Sequence, residues 1–270
     1  MKKALPLTLS LVIPAYNEEH HLKACLDAVA KQTILPDEVI VVDNNSTDRT
    51  AEIAKSYKFV KVIKANKQGV VFARDAGFNA AKSDIIGRID ADTILPSHWV
   101  DYVKKFYMLD NLNTAWTSGC YYYNVRLPYL FGWAQNLIVF RMDAALLGHN
   151  ILWGSNMALP RQQWLAICAQ VCHRTDIHED IDLAIHLHRM GYKIKYEPHH
   201  KVGAKLRRVR SHRSDLWENL QWWPRSLRVH DVKGWWVSWL VGVGLVYVMS
   251  PVPVILEKIA RIFGQKPLGE

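Results

Sequence analysis

Short apolar runs alternate with amphipathic segments of helical length through the first ninety residues, and several of the runs end in a polar cluster. Leu7, Leu9, Leu11 and Ile13 recur at the period of a strand's single face between Pro6 and Pro14. Residues 39–42 form an unbroken apolar run of the kind buried on both faces of a sheet. Further strands are predicted over 59–63 and 85–89. Between them, Leu22, Cys25, Leu26 and Val29 fall at helical spacing behind Asn17 as a cap, a second helix runs through Ile53 and Ala54, and a third covers 70–81. This spacing confines the chain to βαβ units around a mostly parallel sheet. Such sheets bind ligands beyond the carboxyl ends of their strands. Tyr16-Asn17-Glu18, the cluster 43–48 and Asp90-Ala91-Asp92 all lie at those ends.

From 98 to 200 the pattern loosens. It predicts a helix near 97–107, an aromatic segment over 116–123, an apolar helix near 128–147, a helical segment around 161–172, an amphipathic helix over 179–190 and a closing strand over 193–196. Composition shifts near residue 200, which divides the chain into 1–200, a basic tryptophan-rich stretch over 201–233, and an apolar segment with a short tail over 234–270. Met1-Lys2-Lys3 followed by an apolar run resembles a secretory signal, but the two prolines and the strand alternation favour a core strand. With 270 residues, half of them hydrophobic, the chain is outside the disordered, collagenous and disulfide-framework classes. Cys25, Cys120, Cys168 and Cys172 are irregularly spaced and read as reduced thiols. Cys168 and Cys172 before His173 hint at metal, but no second ligand pair stands at zinc spacing.

Four groups of residues are chemically suggestive, each with a plainer alternative. Asp90 and Asp92 after a strand make a hard-oxygen site for Mg²⁺ or Mn²⁺ shared with a diphosphate; the alternative is a helix cap and a turn. Asp43 can accept a hydrogen bond from a nucleotide base, or simply close an Asx-turn. Lys67-Gln68-Gly69 precedes the helix that carries Arg74, and a helix start behind a glycine can hold an anion or just be solvated. No GxGxxG or Walker A lysine motif is present. Glu179 and Asp180 open a helix, where the dipole favours carboxylates whatever their task. Their place across the open end of the sheet from Asp90 and Asp92, with His178 before and Asp182 after, suits a general base.

Taken together, Leu11 to Glu19, Val41 to Asp48, Lys67-Gln68-Gly69 with Arg74, Ile89 to Asp92 and Glu179 to Leu183 resemble the family 2 glycosyltransferases in motif order and separation. The resemblance implies a GT-A fold, an α/β nucleotide-sugar-binding architecture with a mostly parallel central sheet. It implies transfer of a sugar, with inversion, from a UDP-, GDP- or dTDP-sugar. Pro14, Tyr16, Glu18 and Asp43 would line the nucleoside pocket, with Lys67 and Arg74 near the base or phosphates. Asp90 would lie near the ribose or metal, Asp92 would be the principal metal ligand, and Asp180, after Glu179, the general base. Gly154-Ser155-Asn156 would correspond to an acceptor-side loop. The Gln-x-x-Arg-Trp element of processive synthases is not kept by Gln221-Trp222-Trp223-Pro224-Arg225, which favours single addition.

The net charge of +9 is unevenly placed: residues 1–200 carry 22 basic and 20 acidic side chains, and residues 201–233 carry 9 and 3. Next to that stretch, residues 235–256 are uncharged and begin with tryptophans, long enough to span or to lie in a bilayer interface. The expected partner of the basic stretch is therefore an anionic membrane rather than nucleic acid. The positive-inside tendency places the catalytic domain on the cytoplasmic face, acting on a lipid-linked or membrane-proximal glycan. Two rivals stand beside this reading: a transferase whose acceptor is polyprenyl phosphate, and a non-catalytic membrane-binding module on a degenerate nucleotide fold.

Overall fold

In a computed structural model of the chain, which describes residues 7–109, 111–123, 140–205 and 213–241, the alternating half folds as β1 (Leu9–Ala15), α1 (Leu22–Ala30), β2 (Glu38–Asp43), α2 (Thr50–Lys55), β3 (Val60–Lys64), α3 (Val70–Ala80) and β4 (Ile85–Arg88). After these come α4 (Trp99–Met108), β5 (Thr114–Thr117), β6 (Cys120–Tyr122), α5 (Asp143–Leu147), β7 (Met157–Pro160), α6 (Arg161–Ile167), α7 (Glu179–Arg189), β8 (Lys193–Tyr196), β9 (Val202–Ala204) and α8 (Arg213–Val229). Seven strands form one sheet in the order β3-β2-β1-β4-β7-β5-β8, and β6 pairs with β9 in a second. Strands β1 to β4 are parallel, as are β5 and β8; β7 alone runs against its neighbours β4 and β5.

The alternation along β1 becomes two cores. Leu9, Leu11 and Ile13 pack with Leu22, Cys25, Leu26, Val29, Trp99 and Trp116 on one face. Val12, Ile40 and Val42 pack with Ala73, Phe78, Trp164, Leu183 and Leu187 on the other. Helix α3 sits so tightly on the sheet that a Cβ at Gly77 would stand 2.3 Å from Val12 Cγ1. Covered on both faces, the central strands have no polar side, which is why they read as continuous apolar runs.

Several expectations are corrected. Asn17 does not cap α1: the helix starts at Leu22 behind His21 with no side-chain cap, and Asn17, at φ +52°, turns into the neighbouring loop. The aromatic segment over 116–123 is divided between β5 and β6, in different sheets. Strand β7 was not predicted, since four residues ending in proline give no alternation to read. The predicted helix near 128–147 lies outside the described residues up to 139, and its end contains α5. The fold also continues past residue 200. Strand β9 pairs with β6, Gly203 bridges to Ile94, and Leu227 of α8 is buried against Ile181 and Ile185 of α7. Among the described residues no helix is long and apolar enough to cross a membrane; residues 242–256 of the uncharged run, and the Arg207-Arg208-Val209-Arg210 cluster, lie outside them.

Candidate active site

The parallel register sets Ala15 beside Asp43 and Asp43 beside Lys64, so three strands end at one edge. The loops there are stitched together by side chains. Asn17 Oδ1 accepts from Thr47 N at 2.9 Å, Ser46 Oγ accepts from Asn17 N at 3.1 Å, and Thr50 Oγ1 accepts from Glu18 N at 2.6 Å. Asn17 and Asn45 both adopt positive φ, which asparagine tolerates better than most residues. Asp43 is buried and its Oδ1 accepts from Ser46 N, three residues on, which closes the loop after β2. Asn44 donates to the carbonyls of Ala65 and Lys67 and accepts from Gly69 N, fixing the loop before α3. Pro14 is buried in β1, Tyr16 is half exposed at the rim, and Lys67 is exposed with its ammonium 4.0 Å from the Phe72 ring centroid.

Beyond β4, Asp90 is partly exposed and Asp92 is largely buried. Both lie in electrostatic reach of the Cys25 thiol, whose sulfur donates to Asp90 O at 3.7 Å. Burial, then Asp92, Asp90 and Glu18, push that thiol's pKa far up. The Cys25 thiol thus registers the negative charge of all three carboxylates at this end of the sheet. Glu18 also pairs with His21 at 3.3 Å.

Arg88, which the sequence reading passed over, organises the opposite side. Its guanidinium is 2% exposed, with Nη1 2.6 Å from Glu179 Oε1 and Nη2 3.2 Å from Asp90 Oδ1. Burial opposes its charge, but Glu179, Asp90 and Asp180 more than offset that and raise its pKa. One cation thus ties Asp90, beyond the end of β4, to Glu179 in the first turn of α7. Its only sequence signal is a charged residue closing the apolar run before Ile89. Arg74, fully buried, lies behind: it donates to Asp75 and, at 2.6 Å, to the carbonyl of Glu179.

Burial would raise the pKa of Glu179, but Arg88 and then Arg74 hold it below the usual carboxylate range. For Asp180, burial and the adjacent Glu179 charge act together and push it up to about 7. Its Oδ2 accepts from Gly154 N and its Oδ1 from Ile181 N, both at 2.9 Å, which aims the carboxylate. A third acid, Asp143 of α5, accepts from Trp223 Nε1 at 2.9 Å; burial, with Asp180 nearby, pushes it up to about 8. Of the loop over 154–156, Asn156 is a buried brace: it accepts from Trp99 Nε1 and donates to the carbonyls of Gly119 and His200.

Gly154 lies flat against Arg88: an added Cβ would stand 2.4 Å from Nη1 and 2.8 Å from Nη2. Because Glu179 and Asp90 hold the guanidinium, it has little room to yield. Gly154→Ala is expected to destabilise the fold by about 1–3 kcal/mol through overpacking and to disturb the bond from Gly154 N to Asp180. Thermal melting checks this; a wild-type melting temperature would refute the close packing.

The family model described as Glycosyl transferase family 2 matches residues 10–156. Over 97 residues the chain is 34% identical to the uncharacterized glycosyltransferase EpsJ of Bacillus subtilis, covering 34% of this chain and 28% of that protein. Over 108 residues it is 34% identical to glycosyltransferase AglE of Haloferax volcanii, covering 37% of this chain and 35% of that one. The matched stretch thus spans about a third of these relatives' length. Among solved structures, mannosyltransferase PcManGT from Pyrobaculum calidifontis, in complex with GDP-Man and Mn2+, superposes with TM-score 0.65 at 17% identity, covering 98% of this chain and 78% of that chain. S. aureus TarS 1-349 in complex with UDP-GlcNAc gives 0.60 at 17% identity, covering 82% and 66%. At such identities the likeness is one of fold.

Proposed function

Because this chain belongs to glycosyl transferase family 2 and has the family's GT-A fold, we propose that it is an inverting enzyme that moves a sugar from a nucleotide diphosphate to a hydroxyl of a lipid-linked or membrane-proximal glycan. The observation that carries this reading is the bridge made by Arg88, with Asp90 on one side and Glu179, next to Asp180, on the other. The nucleotide sugars bound by PcManGT and TarS support a UDP-, GDP- or related donor.

In this proposal Pro14, Tyr16, Glu18 and Asp43 line the nucleoside pocket, with Lys67 at its rim near the phosphates. Arg74, being fully buried, acts from behind by holding the Glu179 carbonyl. Asp92, with Asp90, would hold Mg²⁺ or Mn²⁺, which when bound supplies positive charge for the departing diphosphate. Asp180 takes the proton of the acceptor hydroxyl as its oxygen bonds to the anomeric carbon. The bond from that carbon to the diphosphate breaks on the opposite face, so one displacement inverts the centre. Glu179 stays ionised against Arg88, and its charge keeps Asp180 basic enough to accept the proton.

Nucleoside diphosphate release from a panel of UDP-, GDP- and dTDP-sugars tests the activity. Asp92→Ala is expected to lower turnover about 10³-fold, and chelation by EDTA to abolish it. Full turnover without divalent ions would overturn the metal assignment.

Placement on the cytoplasmic face of a membrane is part of the same proposal. Trp236, Trp239 and Leu240 are exposed together immediately before the rest of the uncharged run, as expected of an interfacial anchor. The protein is expected to co-sediment with vesicles containing anionic lipid, and Trp236→Ser with Trp239→Ser to weaken this several-fold. Equal recovery with and without vesicles would exclude the membrane role.

A further inference from the structure

Four side chains of metal-binding type meet behind the catalytic helix, away from the strand-end aspartates. Asp182 and His186 stand one turn apart on α7, Cys172 comes from the loop after α6, and His230 from the end of α8. One ligand atom from each lies within 4.8 Å of all the others. Asp182 is fully buried, and His186 and His230 are at least nine-tenths buried. His230 Nε2 is 2.8 Å from Asp182 Oδ1. His186 Nε2 is buried and stands 3.4 Å from the same oxygen, at the long limit of a hydrogen bond.

From this cluster we propose a structural zinc site formed by Cys172, Asp182, His186 and His230. The set is tetradentate and mixes sulfur, nitrogen and oxygen, as tetrahedral zinc accepts. A thiolate and a carboxylate cancel the charge of the dication, so the buried site is neutral overall, whereas burying an uncompensated ion would be costly. Ligands around tetrahedral zinc stand roughly 3.3–3.8 Å apart, given bonds of about 2.0–2.3 Å. Binding therefore needs adjustments of up to about 1 Å, opening the 2.8 Å contact of His230 with Asp182 and closing the wider distances in the group. Zinc would displace the proton from each Nε2 and leave it on Nδ1. Arg189 Nη1, 3.5 Å from His230 Nδ1, would shift aside while Nη2 keeps its 2.8 Å bond to the His230 carbonyl.

The soft and imidazole ligands separate this site from the all-oxygen set at Asp90 and Asp92. A bound ion would pin α8 and the 172 loop to the helix that carries Asp180. It would act by positioning, with no contact to substrate.

Cobalt is the probe, and no sugar donor is needed. The full chain, stripped with EDTA and dialysed, is titrated with Co²⁺ alone. The expected result is a thiolate-to-cobalt charge-transfer band that saturates at one Co²⁺ per chain, is displaced by Zn²⁺ and is unchanged in Asp92→Ala. Cys172→Ser should remove the band, and His186→Gln should weaken binding more than about tenfold. Zinc should raise the melting temperature of the wild type but not of Cys172→Ser. No thiolate band in the wild type, or a band that survives in Cys172→Ser, overturns the site.

Discussion

Asp180→Asn is expected to reduce turnover by about 10³-fold, within the usual range for loss of a positioned general base, with little change in the donor KM. The amide keeps the shape of the carboxyl and can still accept from one of the two backbone N–H groups that hold it, Gly154 or Ile181. It cannot take a proton. In the wild type, kcat/KM for the free enzyme should fall as pH drops below about 7, because burial and Glu179 push Asp180 up to that value. Stability should move the other way. The folded carboxyl keeps its proton between about pH 4 and about pH 7, where the unfolded chain has released it. Stability contributed by this group is therefore lost as pH rises through that window. Asparagine carries no charge, so the variant should melt higher than wild type at pH 8 while being nearly inactive. Retained activity with a neutral hydroxyl acceptor would remove Asp180 from the mechanism. If transfer to polyprenyl phosphate survives in the variant, the acceptor is an anion that needs no base.

Arg88→Met is expected to lose both stability and activity. The long apolar side chain fills most of the space, but Glu179 is left buried without its partner at 2.6 Å. Breaking a buried pair by removing one member costs about 3–5 kcal/mol, on the order of 10 °C in melting temperature for a chain of this size. Asp90 adds little to that loss, since its carboxylate is 45% exposed and screened by water. Adding Glu179→Gln should recover much of the stability, since the orphaned charge is then gone, but not the activity. A single variant that melts like the wild type would show that the buried pair does not hold the site together. Arg88 and Asp180 thus have opposite expected effects on stability and the same effect on rate.

Hydrophobic spacing made the first four strands and the helices between them legible, because each strand is buried on both faces or alternates against a single core. Asp43, Asp90, Asp92, Glu179 and Asp180 are legible as candidates, since they stand where an apolar segment stops or a helix starts. The cap at Asn17 was misread because asparagine serves a left-handed loop turn as readily as a helix end. Along the sequence Cys172 neighbours Cys168 and His173, whereas in the fold it lies with Asp182, His186 and His230.

From the sequence alone came the mostly parallel α/β sheet, the edge proposed for ligand binding and the acidic residues placed along it. All three follow from local periodicity and from the position of charge relative to apolar runs. Tertiary structure alone decided that β7 enters antiparallel beside β4, which lays Gly154 against Arg88 and brings Asp180 to its backbone N–H. Pairing across a sheet is set by the space that other elements leave open, and no spacing within a four-residue strand records it. The same holds for Arg88: its charge is written in the sequence, but its role depends on partners that only the closed fold brings within hydrogen-bonding distance.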